Sequence, residues 1–283
     1  MSRILAAFLL SVTLLLGAVT AADAQQIGKK SRAAANAFAA HNSLFVLYHE
    51  MGHLLIDQFS LPVLGREEDA ADNMASWFLL KQTTPDSHQV LADAAYGWLL
   101  SGIAYGTSFA DADYYAGHSL DRQRAYQIVC LMVGSNAREF RSIANAYSID
   151  RNRQLTCEWD YDLIDRSLTS LIGQRAGKKA SSAEVEVTYQ EAPGRLQPAA
   201  EAFRQSGIFE RIATELRDGF PLPRGVTLTA KRCAEANAFY DPNTVEIIFC
   251  YELMEDFFNL AIKDMRATGR LSLGPGGLSR LDQ

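Results

Sequence analysis

Residues 44–56, Leu44-Phe45-Val46-Leu47-Tyr48-His49-Glu50-Met51-Gly52-His53-Leu54-Leu55-Ile56, set two histidines and a glutamate inside an apolar run free of proline. Such a run, apolar on both sides of the polar group, predicts a buried helix with one polar edge turned to a cleft. Positions i and i+4 share a helix face, so His49 and His53 can reach a single metal ion. Glu50, next to His49, is placed to act as general base toward a water at that metal. An amphipathic helix carrying two solvated histidines is the plainer reading, and the segment that follows decides between them.

A zinc site with an open catalytic position needs a third protein ligand. After a break at Pro62 and Gly65 comes Arg66-Glu67-Glu68-Asp69-Ala70-Ala71-Asp72-Asn73, opening a second helix. Glu68 and Asp72 again stand at i and i+4. Glu68 is the expected third ligand, and Asp72 the group that hydrogen-bonds a ligand histidine from behind. Acidic residues in a first helical turn also favour the helix dipole, which is the bland account of the same residues. Glu67 and Asp69 are the alternative ligands, because the phase of a helix start is not set by sequence alone.

His49-Glu50-x-x-His53 followed by Glu68-x-x-Ala71-Asp72 resembles the gluzincin arrangement of zinc metallopeptidases. In that arrangement the glutamate of the second helix is the third ligand. The stretch from Leu47 to Leu80 resembles more narrowly a bacterial family of metallopeptidases. The likeness continues through His118-Ser119-Leu120-Asp121-Arg122-Gln123-Arg124 and Cys130. It returns at Asn237-Ala238-Phe239-Tyr240-Asp241-Pro242 and Cys250-Tyr251-Glu252-Leu253. In that family the last of these segments often precedes the HExxH helix; here it follows. The resemblance implies Zn2+ as cofactor and a peptide or protein as substrate.

The whole sequence of 283 residues is 48% apolar and 21% charged, with a formal net charge of −6. That is the composition of a globular protein, and it argues against a nucleic-acid footprint or a polybasic membrane patch. Residues 1–24 read as a signal peptide: Arg3, an apolar run from Ile4 to Val19, then Ala22-Asp23-Ala24 as a cleavage site. The run is shorter than the ~20 residues a membrane span needs. The expected location is periplasmic or secreted, with no integral membrane segment after cleavage. Four cysteines in an exported chain favour disulfides; sequence alone allows three pairings, of which proximity along the chain favours Cys130 with Cys157 and Cys233 with Cys250.

Residues 25–174 read as a helical metal-binding half, with helices over 34–58, 66–82, 88–104, 119–133, 136–147 and 160–172. A polar, basic linker (175–183) precedes an α+β half (184–268) and a Gly-rich tail (269–283). In the α+β half, strands are expected over 185–189, 226–230, 237–240 and 245–250, with helices over 197–218 and 251–267. The expected fold is α+β and mostly helical, zincin-like in permuted order: the active-site helix lies in the N-terminal half and a small sheet from the C-terminal half completes the cleft. His118, in a loop-like Ala116-Gly117 setting, is the expected second electrophile facing the transition state, with Tyr240 as runner-up. His41 and His88 read as solvated or capping, and Trp77, Trp98, Trp159 and the Tyr114-Tyr115 pair as packing residues. The function expected from these residues is metal-dependent peptide hydrolysis. The alternatives are an envelope binding or scaffold protein that holds zinc without proteolysis, and a hydrolase of non-peptide amides.

Overall fold

The computed structural model describes residues 28–106, 115–173 and 183–269. The signal segment, nearly all of the 175–183 linker and all but the first residue of the tail lie outside them.

The organising element is α1 (Lys29–Phe59). Between Phe38 and Ile56 nearly every side chain on it is buried. A helix apolar all round must be covered on all sides. The cover comes from α2 (Glu67–Gln82), α3 (Pro85–Tyr105), α9 (Tyr251–Thr268) and the sheet. Two glycines set how closely the covering helices approach. A Cβ on Gly52 would stand 3.1 Å from the Ala71 Cα atom, so α2 crosses α1 almost backbone to backbone. A Cβ on Gly97 would fall within 1.8 Å of the Asn42 side chain, which lies where α3 crosses. Asn42 fills that crossing and donates to the carbonyls of Phe38 and Asp93.

Among the described residues the first half has three further helices: α4 (Asp121–Ser135), α5 (Ala137–Ala146) and α6 (Arg151–Leu168), the last running into a π-helical turn at Thr169–Gly173. Helix α6 starts nine residues before the 160–172 segment expected from periodicity. Asp150 caps it, accepting from the backbone N–H groups of Asn152 and Arg153, and this local bond outweighs the weak apolar pattern of the first two turns. The Cys130–Cys157 disulfide ties α4 to α6.

The second half holds β1 (Val185–Tyr189), α7 (Gln197–Ser206), α8 (Ile208–Gly219), β2 (Val226–Lys231), β3 (Ala238–Asp241) and β4 (Glu246–Cys250) before α9. The single helix expected over 197–218 is two, because Gly207 takes a left-handed conformation at φ 66° and turns the chain. The sheet order is β1-β2-β4-β3, parallel except for the antiparallel β3–β4 hairpin, so β3 is an edge strand. The Cys233–Cys250 disulfide closes the loop leaving β2 onto the end of β4 and so encloses that hairpin.

One apolar core runs from Ala35 on α1 to Met265 on α9, drawing on both halves. Helix α9 lies along α1, and Ser43 donates to the Met254 sulfur between them. The architecture is α+β and mostly helical with a small mixed sheet from the C-terminal half, consistent with a zincin-like fold.

Candidate metal centre

On α1, His49 and Glu50 are 3% and 5% exposed, unusually deep for ionisable groups. Their neighbours explain how they are tolerated. The close crossing at Gly52 and Ala71 brings the first turn of α2 against the two histidines. Glu68 Oε2 then lies 3.1 Å from His49 Nε2 and 3.3 Å from His53 Nε2, while the two Nε2 atoms are 3.1 Å apart. A tetrahedral ion bonded at ~2.0–2.2 Å to three such atoms spaces them by roughly 3.3–3.5 Å. The triangle of two nitrogens and one carboxylate oxygen therefore fits a divalent ion of zinc's size, and its donor set is one zinc accepts.

Behind this triangle each imidazole is held by its other nitrogen. His49 Nδ1 bonds Asp72 Oδ1 at 2.8 Å, and His53 Nδ1 bonds Glu67 Oε1 at 2.8 Å. Both contacts leave Nε2 facing Glu68. Asp72 is itself gripped by Arg124, whose Nε and Nη2 donate to its two oxygens at 2.7 and 2.8 Å. The Arg124 guanidinium lies 3.6 Å from the centre of the Trp98 ring. Burial alone would raise the Asp72 carboxyl, but the Arg124 charge and hydrogen bonds hold it well below the usual carboxylate range.

The rest of the electrostatics follows from the same contacts. Burial would lower His49, yet its hydrogen bonds to Asp72 and Glu68 raise it to about 9. Hydrogen bonds from His118, His49 and His53 hold the Glu68 carboxyl far below its ordinary value. Burial pushes Glu50 up. No hydrogen bond to Glu50 is made among the described residues, and it faces a cleft of about 530 Å³.

His118 stands on the open side, 52% exposed in its side chain, with Nε2 2.7 Å from Glu68 Oε2 and its ring stacked against His49. Candidate metal-ligating atoms of His49, Glu68 and His118 lie within 4.8 Å of one another. The structure thus gathers His49, Glu50, His53, Glu68, Asp72 and His118 in one place. The alternatives lie elsewhere or in supporting positions: Glu67 holds His53, and Asp69 accepts from the Ser119 hydroxyl at 2.7 Å, anchoring the segment that carries His118. Tyr240 gives its phenol hydrogen to Asp57 at 2.6 Å and does not line the cleft. His41 pairs with Asp93 and His88 with Glu139, each away from the centre. Trp77 packs and donates to Asp165, whereas Trp159 is 71% exposed and not part of the core. Tyr115 is exposed, and Tyr114 lies outside the described residues.

Sequence reasoning missed Arg124 and its Trp98 platform. Arg124 lies six residues beyond His118 within a segment already singled out, but its partner Asp72 is 52 positions away, a pairing only the packed helices reveal. The edge of the sheet also reaches this cleft, through Ala236, Asn237 and Ala238 at the start of β3.

A family model described as "Putative metallopeptidase" matches residues 13–172 and 189–270, most of the chain. No curated protein and no solved structure matches it.

Proposed function

The chain belongs to this putative metallopeptidase family, and from that premise we propose that it is an exported zinc-dependent peptidase with its catalytic centre on α1. The observation that carries the reading is the triangle of His49 Nε2, His53 Nε2 and Glu68 Oε2 with buried Glu50 beside it. These three residues would hold the ion. Zinc, when bound, supplies Lewis-acid polarisation of a carbonyl and lowers the pKa of a water toward ~7.

The protein's own groups supply the rest. Glu50 takes the proton from the attacking water and delivers it to the leaving amine. Burial pushes its carboxyl above the ordinary value, the direction that suits a group that must both take and return a proton. His118, exposed at the mouth of the cleft, donates a hydrogen bond to the oxygen that gains charge in the transition state. The free edge of β3 offers main-chain groups that can hold an extended peptide as an added strand. Export is supported by the 1–24 signal pattern and by the two disulfides. Among the described residues no helix is long and apolar enough to cross a membrane.

Metal content of the purified mature protein, measured with and without His53→Ala and paired with digestion of a broad peptide library, tests the proposal. One zinc per chain, lost in the variant, together with cleavage is the expected result. A Glu50→Gln variant that keeps zinc, set against a wild type that cuts nothing, would identify a zinc-holding scaffold instead.

A further inference from the structure

The cleft that Glu50 faces is lined also by residues at the end of α3 and on α9. Its walls there carry two carboxylates, Asp121 and Asp256. Ser101 donates to Asp121 Oδ2 at 2.6 Å, and the Tyr105 hydroxyl donates to Asp256 Oδ1 at 2.5 Å, joining the two walls. The second oxygen of each carboxylate has no protein donor among the described residues, and neither group pairs with a lysine or arginine there. Arg124 also lines this cleft; it is bonded to Asp72, and its charge acts on Asp121 as well, which leaves Asp256 the carboxylate with no cation beside it among the described residues. The same cleft is lined by the apolar side chains of Trp98, Leu253 and Phe257.

Two further observations separate this from an idle acidic surface. Glu50, nine-tenths buried and without a hydrogen-bond partner, lines the same cavity, so a substrate that reaches this base shares the cleft with the two carboxylates. Asp121 and Asp256 also stand outside the one cluster among the described residues whose atoms are close enough to hold a metal. A cationic side chain on an aliphatic stem matches both features: the stem lies against the aromatic and leucine walls, and its head reaches the free carboxylate oxygens. An acidic side chain would meet like charge.

We propose that the cleft selects peptides carrying a lysine or arginine next to the scissile bond, with Asp121 and Asp256 receiving the cationic head. This rests on the peptidase reading of the same centre. Fluorogenic peptides identical except for Lys, Gln or Glu on either side of the cut bond test it on the zinc-loaded mature chain. The expected ratio of kcat/KM for Lys over Glu at one flanking position is about 10- to 100-fold. In the Asp121→Asn/Asp256→Asn double variant that ratio should fall to within about threefold of unity. Asp256→Lys should reverse it in favour of Glu, an outcome that loss of folding cannot mimic. A wild-type ratio near one, or a ratio that survives the double variant, overturns the proposal. If no peptide is cut, fluorescence anisotropy with intact Lys-rich and Glu-rich peptides replaces the kinetic readout. Preference for the basic peptide, lost in the double variant, would sustain the selectivity while the peptidase reading fails; equal binding of both would overturn it.

Discussion

His49 is the residue on which most of the site converges, touching Asp72, Glu68 and His53 through its two ring nitrogens. Replacing His49 or His53 by alanine should abolish stoichiometric zinc, read by metal analysis after dialysis, because two remaining donors do not make a stable site. Asp72→Ala should weaken zinc by about 10- to 100-fold without abolishing it, since it removes only the group that orients His49. Without metal, His49 holds its proton up to about pH 9, so metal must displace that proton. A raised pKa of this kind favours the protonated ring below that pH. Zinc affinity should therefore rise with pH through the neutral range, by up to about tenfold per unit for each proton displaced. A competition titration with a chelator of known affinity at several pH values checks the sign. His118→Ala should cut kcat by ~10²–10³ while zinc content and KM stay nearly unchanged, as for an interaction made only in the transition state. An unchanged kcat would remove His118 from catalysis.

At the scale of elements, the crossing of α1 and α2 decides whether there is a site at all. Gly52 and Ala71 meet there, and Glu68 and Asp72 stand three residues before and one after Ala71 on the facing helix. Gly52→Ala asks α2 to retreat by a few tenths of an ångström and gains the better helix propensity of alanine, worth about 1 kcal/mol. Its effect on stability should be small. Gly52→Val cannot be absorbed in that way and should cost about 1–3 kcal/mol in a denaturant titration. The separation it forces should weaken zinc at least about tenfold, because ligand placement within ~0.5 Å is needed. Full affinity in the valine variant would show that the crossing is not what positions Glu68. The same comparison explains what could be read in advance. The α1 and α2 segments were legible because their apolar spacing and the Pro62–Gly65 break are local. The early start of α6 and the break at Gly207 were not, because a single cap and a single left-handed residue override periodicity.

For the whole molecule, the two halves share one core in which α9 lies along α1 and β3 borders the cleft. A chain ending at about residue 176 would uncover the α1 face that α9 and the sheet protect. It is expected to be insoluble or inactive in expression and sedimentation trials. A soluble, active fragment would mean that the helical half stands alone. The HExxH helix, the acidic turn after it and the mostly helical character were determined by sequence alone, since each depends on residues close together in the chain; of the three cysteine pairings that sequence allows, the structure has the one that proximity favours. Which nitrogen each histidine turns inward, the Arg124 clamp on Asp72, the meeting of His118 with Glu68 and the Tyr105–Asp256 bond in the cleft wall were decided by tertiary structure. Those contacts join residues from 14 to more than 100 positions apart. Only the packing of helices around a buried α1 brings them within hydrogen-bonding distance, and no local pattern encodes a distance between elements.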